Sequence, residues 1–111
     1  MTAESFIIAY VTAKDADEAR RIGRTLVDSR LAACANIIGS MQSIYRWKDA
    51  IVVDSEAVLI LKTRTSLFDA LSAKIKSIHS YDNPCILALP VECGAPEYLD
   101  WLAAQTEQLA D

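Results

Sequence analysis

The hydrophobic positions switch between two periods along the chain. Residues 5–12, SFIIAYVT, form a continuous β-rich apolar run and predict a first strand. After Asp15 the spacing changes, and Ala16, Ala19, Ile22, Leu26 and Val27 recur on one side of a helix that runs to about Ser29. Asp15 and Glu18 have capping-box spacing, with Asp in place of the usual Ser or Thr. Asp17 and Glu18 precede Arg20, Arg21 and Arg24, the order that a helix dipole favours. Residues 31–47, LAACANIIGSMQSIYRW, hold two strand-like runs interrupted at Gly39-Ser40. They read as one long strand with a bulge, or as two strands around a turn. Lys48-Asp49-Ala50 makes a hairpin turn, and residues 51–64, IVVDSEAVLILKTR, return as a second long strand. Ser66 is the expected cap of a second helix carrying Phe68, Leu71, Ile75 and Ile78 at helical spacing, with Lys74, Lys76 and His79 near its end. Pro84 to Val91 predicts another strand. Pro96 opens a last helix with Tyr98, Leu99, Leu102 and Leu109 on its apolar side, where Tyr98 and Trp101 would pack it onto the body.

The order β-α-β-β-α-β plus a terminal helix predicts a single α+β domain over residues 1–111, of the ferredoxin-like, split βαβ arrangement. Two helices would cover one sheet face. The other face stays open, and the hairpin of residues 31–64 is longer than so small a domain needs. Both features predict an oligomer.

Composition narrows the partners. The hydrophobic fraction is 52% over 111 residues, which fits a well-buried fold or a surface covered by other subunits. The net charge is −4 and the basic residues are scattered, which argues against a nucleic-acid partner. No apolar run approaches the roughly 20 residues that span a bilayer, and the first residues lack the features of a signal peptide. A cytoplasmic protein is the expectation. Three cysteines without a C-x-x-C pair fit neither a disulfide framework nor a zinc knuckle.

The candidate chemistry gathers in residues 76–86, KSIHSYDNPCI, where the only histidine, His79, lies six residues before Cys85. Imidazole and thiolate suit soft or borderline metals, yet a structural zinc takes four ligands. Alternatively His79 ends the helix beside its last carbonyls, or lines a pocket for a small molecule or anion. Cys85 and Cys93 share a strand parity and would stand about 26 Å apart if extended, so they cannot form an internal disulfide without a fold-back. Cys34, among Ala32, Ala33 and Ala35, is expected in the core. Lys62 either reaches solvent along its stem or joins Tyr81 and His79 in a cleft between subunits, where it would attract an anion. Glu56 reads equally as a solvated strand charge or as the partner of a neighbouring chain's cation. Tyr45 and Trp47 alternate on one strand, face the same way and suit an interface. For catalysis a Cys-His pair is conceivable, but no third orienting group or oxyanion hole stands out.

Five spaced motifs carry a resemblance to the CutA family, named for divalent-cation tolerance. They are Arg30-Leu31-Ala32-Ala33-Cys34-Ala35-Asn36-Ile37, Ser43-Ile44-Tyr45-Arg46-Trp47, Glu56 with Lys62-Thr63, His79-Ser80-Tyr81 with Pro84, and Tyr98-Leu99-Asp100-Trp101. The resemblance implies a tight homotrimer of ferredoxin-like subunits, with hairpins paired between subunits, and an association with copper and other divalent cations. The chain departs from the family pattern at Ser80, where Pro is usual, and at Cys85, where Glu is usual. The second His and the Cys of some copper-linked bacterial members fall on Ile78 and Val11, so a copper site of that pattern would retain only His79. The reading is a non-enzymatic trimer binding a metal ion or small ligand in inter-subunit clefts, with Lys62, Tyr81, Cys85 and Glu56 in the lining and His79 as the metal candidate. Tyr45 and Trp47 would stand in the trimer interface. The alternatives are a regulatory or scaffold trimer similar to the nitrogen-sensing signal-transduction proteins, and a small thiol enzyme.

Overall fold

A computed structural model describes residues 4–108. Its elements are β1 (Phe6–Ala13), α1 (Ala16–Asp28), β2 (Cys34–Trp47), β3 (Ala50–Arg64), α2 (Phe68–Ile78), β4 (Ile86–Val91) and α3 (Pro96–Gln105). The four strands form one sheet in the order β2-β3-β1-β4, with every neighbouring pair antiparallel. This is the ferredoxin-like order that the alternation of periods predicts.

Alternation along the strands divides the sheet into two faces. Ala9, Val11, Ala13, Ala57, Leu59 and Leu61 point to one side, where Ala19, Ile22 and Leu26 of α1 and Leu71 and Ile75 of α2 complete a closed apolar core. The opposite face carries Ile8, Tyr10 and Thr12 of β1, Glu56, Val58, Ile60 and Lys62 of β3, and Leu87 and Leu89 of β4. One end of that face is covered by α3, where Leu102 and Leu99 pack with Phe6, Ala33 and Val91.

The break at Gly39-Ser40 resolves as a bulge in one strand. Ile38 pairs with Val58 and Met41 with Glu56, so two residues of β2 oppose one of β3, and Ser40 sits at φ 60°. The extra residue reverses the parity of β2. It brings Tyr45 and Trp47 to the same face as Cys34, Asn36 and Ile38. The hairpin closes in two residues, Lys48 and Asp49, both at positive φ, between the paired Trp47 and Ala50. That is the pattern of the primed turns that match strand twist, made here without glycine.

α1 starts as expected, with Asp15 Oδ1 accepting from the Glu18 amide at 2.8 Å. It ends in a Schellman motif. Arg30 takes φ 62°, the Leu31 amide donates to Leu26 O, and the Arg30 amide donates to Val27 O. Three expectations are corrected. Ser66 does not cap α2: a 3-10 turn over Thr65–Leu67 leads into the helix, and its first residue follows Leu67 without a side-chain cap. Cys34 is half-buried rather than in the core, because its parity turns it to the open face. Tyr98 and Trp101 are exposed at 42% and 43%, and α3 docks instead through Leu99, Leu102 and Ala103. Leu109 lies outside the described residues.

The outer half of the β2–β3 hairpin extends past both helices. There Ile44, Ile51 and Val53 on one side and Trp47 on the other are all more than half exposed. An arm apolar on both faces has no support from its own chain.

Candidate functional site

The site forms at the root of that arm, where the α2–β4 loop folds over the open end of the sheet. The loop is held by one buried carboxylate. Glu18, only 3% exposed, accepts from the Lys14 amide at 3.0 Å, from the Ser80 amide at 2.9 Å and from Ser80 Oγ at 2.9 Å. Arg21 adds a longer contact of 3.4 Å from the surface. Burial alone would raise the Glu18 carboxyl pKa. The donors from Lys14 and Ser80 outweigh it and hold the group below the ordinary value of 4.5. The Ser80 amide is a donor that a proline at this position could not supply.

His79 ends α2, but its ring turns away from that helix. The Tyr81 amide donates to Nδ1 at 3.0 Å, which leaves the proton on Nε2 to be donated to Thr12 O at 2.8 Å. The side chain is fully buried, so both nitrogens are engaged and neither faces solvent. The ring also packs on Tyr81, with centroids 4.8 Å apart. Glu18 and His79 thus fix the backbone of residues 79–81, and this fixes Tyr81.

Tyr81 reaches across to β3 and donates its hydroxyl to Glu56 Oε2 at 2.7 Å. Burial first, and then the Glu56 carboxylate, push the Tyr81 phenol well above its ordinary 10. The same two causes raise the Cys85 thiol. Glu56 is 9% exposed, not the solvated strand charge that its sequence position allowed. Beside this pair opens a cleft of about 500 Å³ whose walls are Tyr45, Trp47 and Tyr81 and whose acidic groups are Asp54, Glu56 and Asp82, with Cys85 at its side. Asp54 accepts from Tyr45 Oη at 3.3 Å and from the Ser55 amide at 2.9 Å.

The cleft therefore gathers Tyr81, Cys85, Glu56, Tyr45 and Trp47 from the sequence-derived candidates. Lys62 and His79 are not in its lining. Lys62 lies on the same sheet face but near α3, where Nζ is 3.4 Å from Tyr98 Oη and 5.5 Å from that ring. Asp54 and Asp82 escaped the sequence reading. The usable signal for Asp54 was its position two residues before Glu56, on the same side of one strand.

Such a centre does not fit a resident metal. Among the described residues no three of His, Cys, Asp and Glu are gathered to hold an ion. Both His79 nitrogens are already engaged, one by the Tyr81 amide and the other with Thr12 O.

A ferredoxin-like domain with an outsized β2–β3 hairpin is the class that the fold defines. The chain belongs to the CutA1 divalent ion tolerance family, whose profile matches residues 7–105. It is 43% identical over 99 residues to the divalent-cation tolerance protein CutA of Thermus thermophilus, covering 89% of this chain and 96% of that one. It is 39% identical to the chloroplastic protein CutA 1 of rice, covering 92% of this chain but only 58% of the relative's length. Among solved structures, CutA1 from Oryza sativa superposes with a TM-score of 0.92 at 38% identity, covering 95% of this chain and 96% of that one. Among the described residues no helix is long and apolar enough to cross a membrane.

Proposed function

We propose that the chain is the subunit of a non-enzymatic homotrimer whose cleft lies at a subunit boundary and takes a small ligand. The observation that carries this reading is the coincidence of the acidic-aromatic cleft with the unsupported apolar arm. Tyr45 and Trp47 belong to both. Their exposure in one chain suits a surface that a neighbouring subunit covers. Burial and the neighbouring Glu56 raise the Tyr81 phenol and the Cys85 thiol, which disfavours either one as an anionic nucleophile. Three free cysteines suit a reducing, cytoplasmic setting.

The ligand that fits the family name is a divalent cation held weakly as cargo, not as a resident centre. The carboxylates of the cleft are not gathered into one ligand set, so a cation would be held by one or two oxygen donors at a time, and oxygen suits harder cations such as Mn²⁺ better than copper. Copper would call on His79 and on a Cys85 thiolate, and the geometry favours neither. The aromatic walls and the volume also favour a second reading, a regulatory trimer with a small organic ligand. A nucleotide is disfavoured there, because its phosphates would meet three carboxylates.

Calorimetric titration of the reduced protein with Mn²⁺ and with copper(I), beside a paired Asp54→Asn and Asp82→Asn variant, tests the cation reading. Saturable Mn²⁺ binding that weakens about tenfold or more in the variant is expected, the scale of one lost charged contact. Tight copper binding that His79→Gln abolishes would contradict the assignment. No heat with either metal would leave the organic-ligand reading, which thermal stabilisation by small molecules then decides.

A further inference from the structure

The cleft holds carboxylates and aromatic rings side by side, and no Lys, Arg or His of the chain lines it. Glu56 is 9% exposed, and its Oε2 accepts from a neutral phenol. Its Oε1 has no hydrogen-bond partner among the described residues. Asp54 accepts only from the Tyr45 hydroxyl and the Ser55 amide, both neutral. None of the ion pairs among the described residues involves Asp54, Glu56 or Asp82. A carboxylate taken as far out of water as Glu56 is costly unless a cation compensates it.

The spacing of the groups narrows the kind of cation. Asp54 and Glu56 leave the same face of β3 two residues apart, which is about 7 Å along the strand. No three ligands are gathered round one point among the described residues, as a single metal ion would need. Positive charges separated along a carbon chain have no such need. Further out on the same arm stand Tyr45, paired with Val52, and Trp47, paired with Ala50. Tyr81 forms the facing wall. Such rings attract ammonium groups over their faces, Trp most strongly, and pack against methylene carbons. Lys48 Nζ stands 6.0 Å from the Trp47 ring, at the outer limit of such a contact and outside the lining. The cleft of about 500 Å³ has room for an organic molecule.

We propose that the cleft takes an aliphatic amine with two or more ammonium groups, its charges on Glu56 and Asp54 and its methylene chain along the rings of Tyr45 and Trp47. The inference rests on the reading that the cleft takes a small ligand, and it deepens that reading by naming the class. An inorganic cation shares the charge of such a ligand but not its carbon chain.

Three probes separate charge from chain: putrescine, the uncharged diol of the same chain length, and Mn²⁺, which has the same charge and no carbon. Each is titrated calorimetrically into the reduced native protein at physiological ionic strength, with Mn²⁺ also added in competition. Putrescine is expected to bind saturably, about tenfold or more tighter than either control, and to displace Mn²⁺. Asp54→Asn is expected to weaken putrescine about tenfold and to leave the diol unchanged. Equal binding of putrescine and the diol overturns the amine class and leaves a small-ligand cleft standing. Mn²⁺ binding as tight as that of putrescine also overturns it, and leaves the inorganic cation. If putrescine fails to bind, the proposal falls, and the other two titrations then decide whether the cleft takes a small ligand at all.

Discussion

Glu18→Ala is expected to lower the unfolding free energy by about 4 kcal/mol, a large effect for a single polar side chain. Three donors converge on this carboxylate, and two of them come from Ser80, 62 residues further along the chain. Removing it leaves the Lys14 and Ser80 amides without that acceptor and unties the loop from α1. Hydrogen bonds to a charged group are each worth about 1.5–3 kcal/mol, so the loss exceeds that of an ordinary cap. Ser80→Pro removes both donors of residue 80 and is expected to cost about half as much. Denaturant midpoints at one fixed protein concentration measure both, with an unchanged slope indicating a true stability change. A loss below 1 kcal/mol for Glu18→Ala would show that the loop is held by other contacts. The pH dependence has a fixed sign. The folded pKa of Glu18 lies below the ordinary 4.5, so its contribution is complete above about pH 4.5 and is lost as pH falls through the folded value. Glu18→Gln should flatten the acid side of the stability profile in that window.

Leu87→Asp combined with Leu89→Asp is expected to convert the proposed trimer to monomers without unfolding the chain. Both side chains stand more than half exposed on the open face, and neither belongs to the closed core between sheet and helices. On a free surface two aspartates cost almost nothing. Buried against a neighbour, each unpaired carboxylate costs several kcal/mol, and threefold symmetry repeats the penalty at every interface. Sedimentation velocity with circular dichroism separates the outcomes: a slow-sedimenting species with an unchanged spectrum is the expected result. An unaltered trimer would mean that β4 lies outside the contact.

The order of elements was legible because the hydrophobic period changes cleanly at Asp15, at residues 31–64 and at Ser66. The bulge left two readings open, since the sequence of residues 38–41 does not say that Met41 pairs with Glu56. The start of α2 was misplaced because Ser66 has the composition of a cap while the chain makes a 3-10 turn there. Cys34 was misjudged because alanine neighbours suggest a core strand, whereas strand parity decides the face. His79 was read as a helix end beside its own last carbonyls, as a pocket residue or as a metal candidate. It bonds Thr12 O instead, across 67 positions, and such long-range pairings are invisible to local pattern. The cleft was partly legible, as Glu56, Tyr81 and Cys85 do meet. The role of Glu18 was not, because its capping position accounts for it locally. The one sequence clue was Ser80 in place of proline, which frees the amide that Glu18 accepts.

The account depends most on assembly, since the proposed trimer explains the cleft and the exposed apolar arm together. The direct measurement is the solution mass of the native protein by analytical ultracentrifugation, from high to low micromolar concentration. A mass three times that of the chain, unchanged on dilution, is the predicted result. A stable monomer across that range would contradict it.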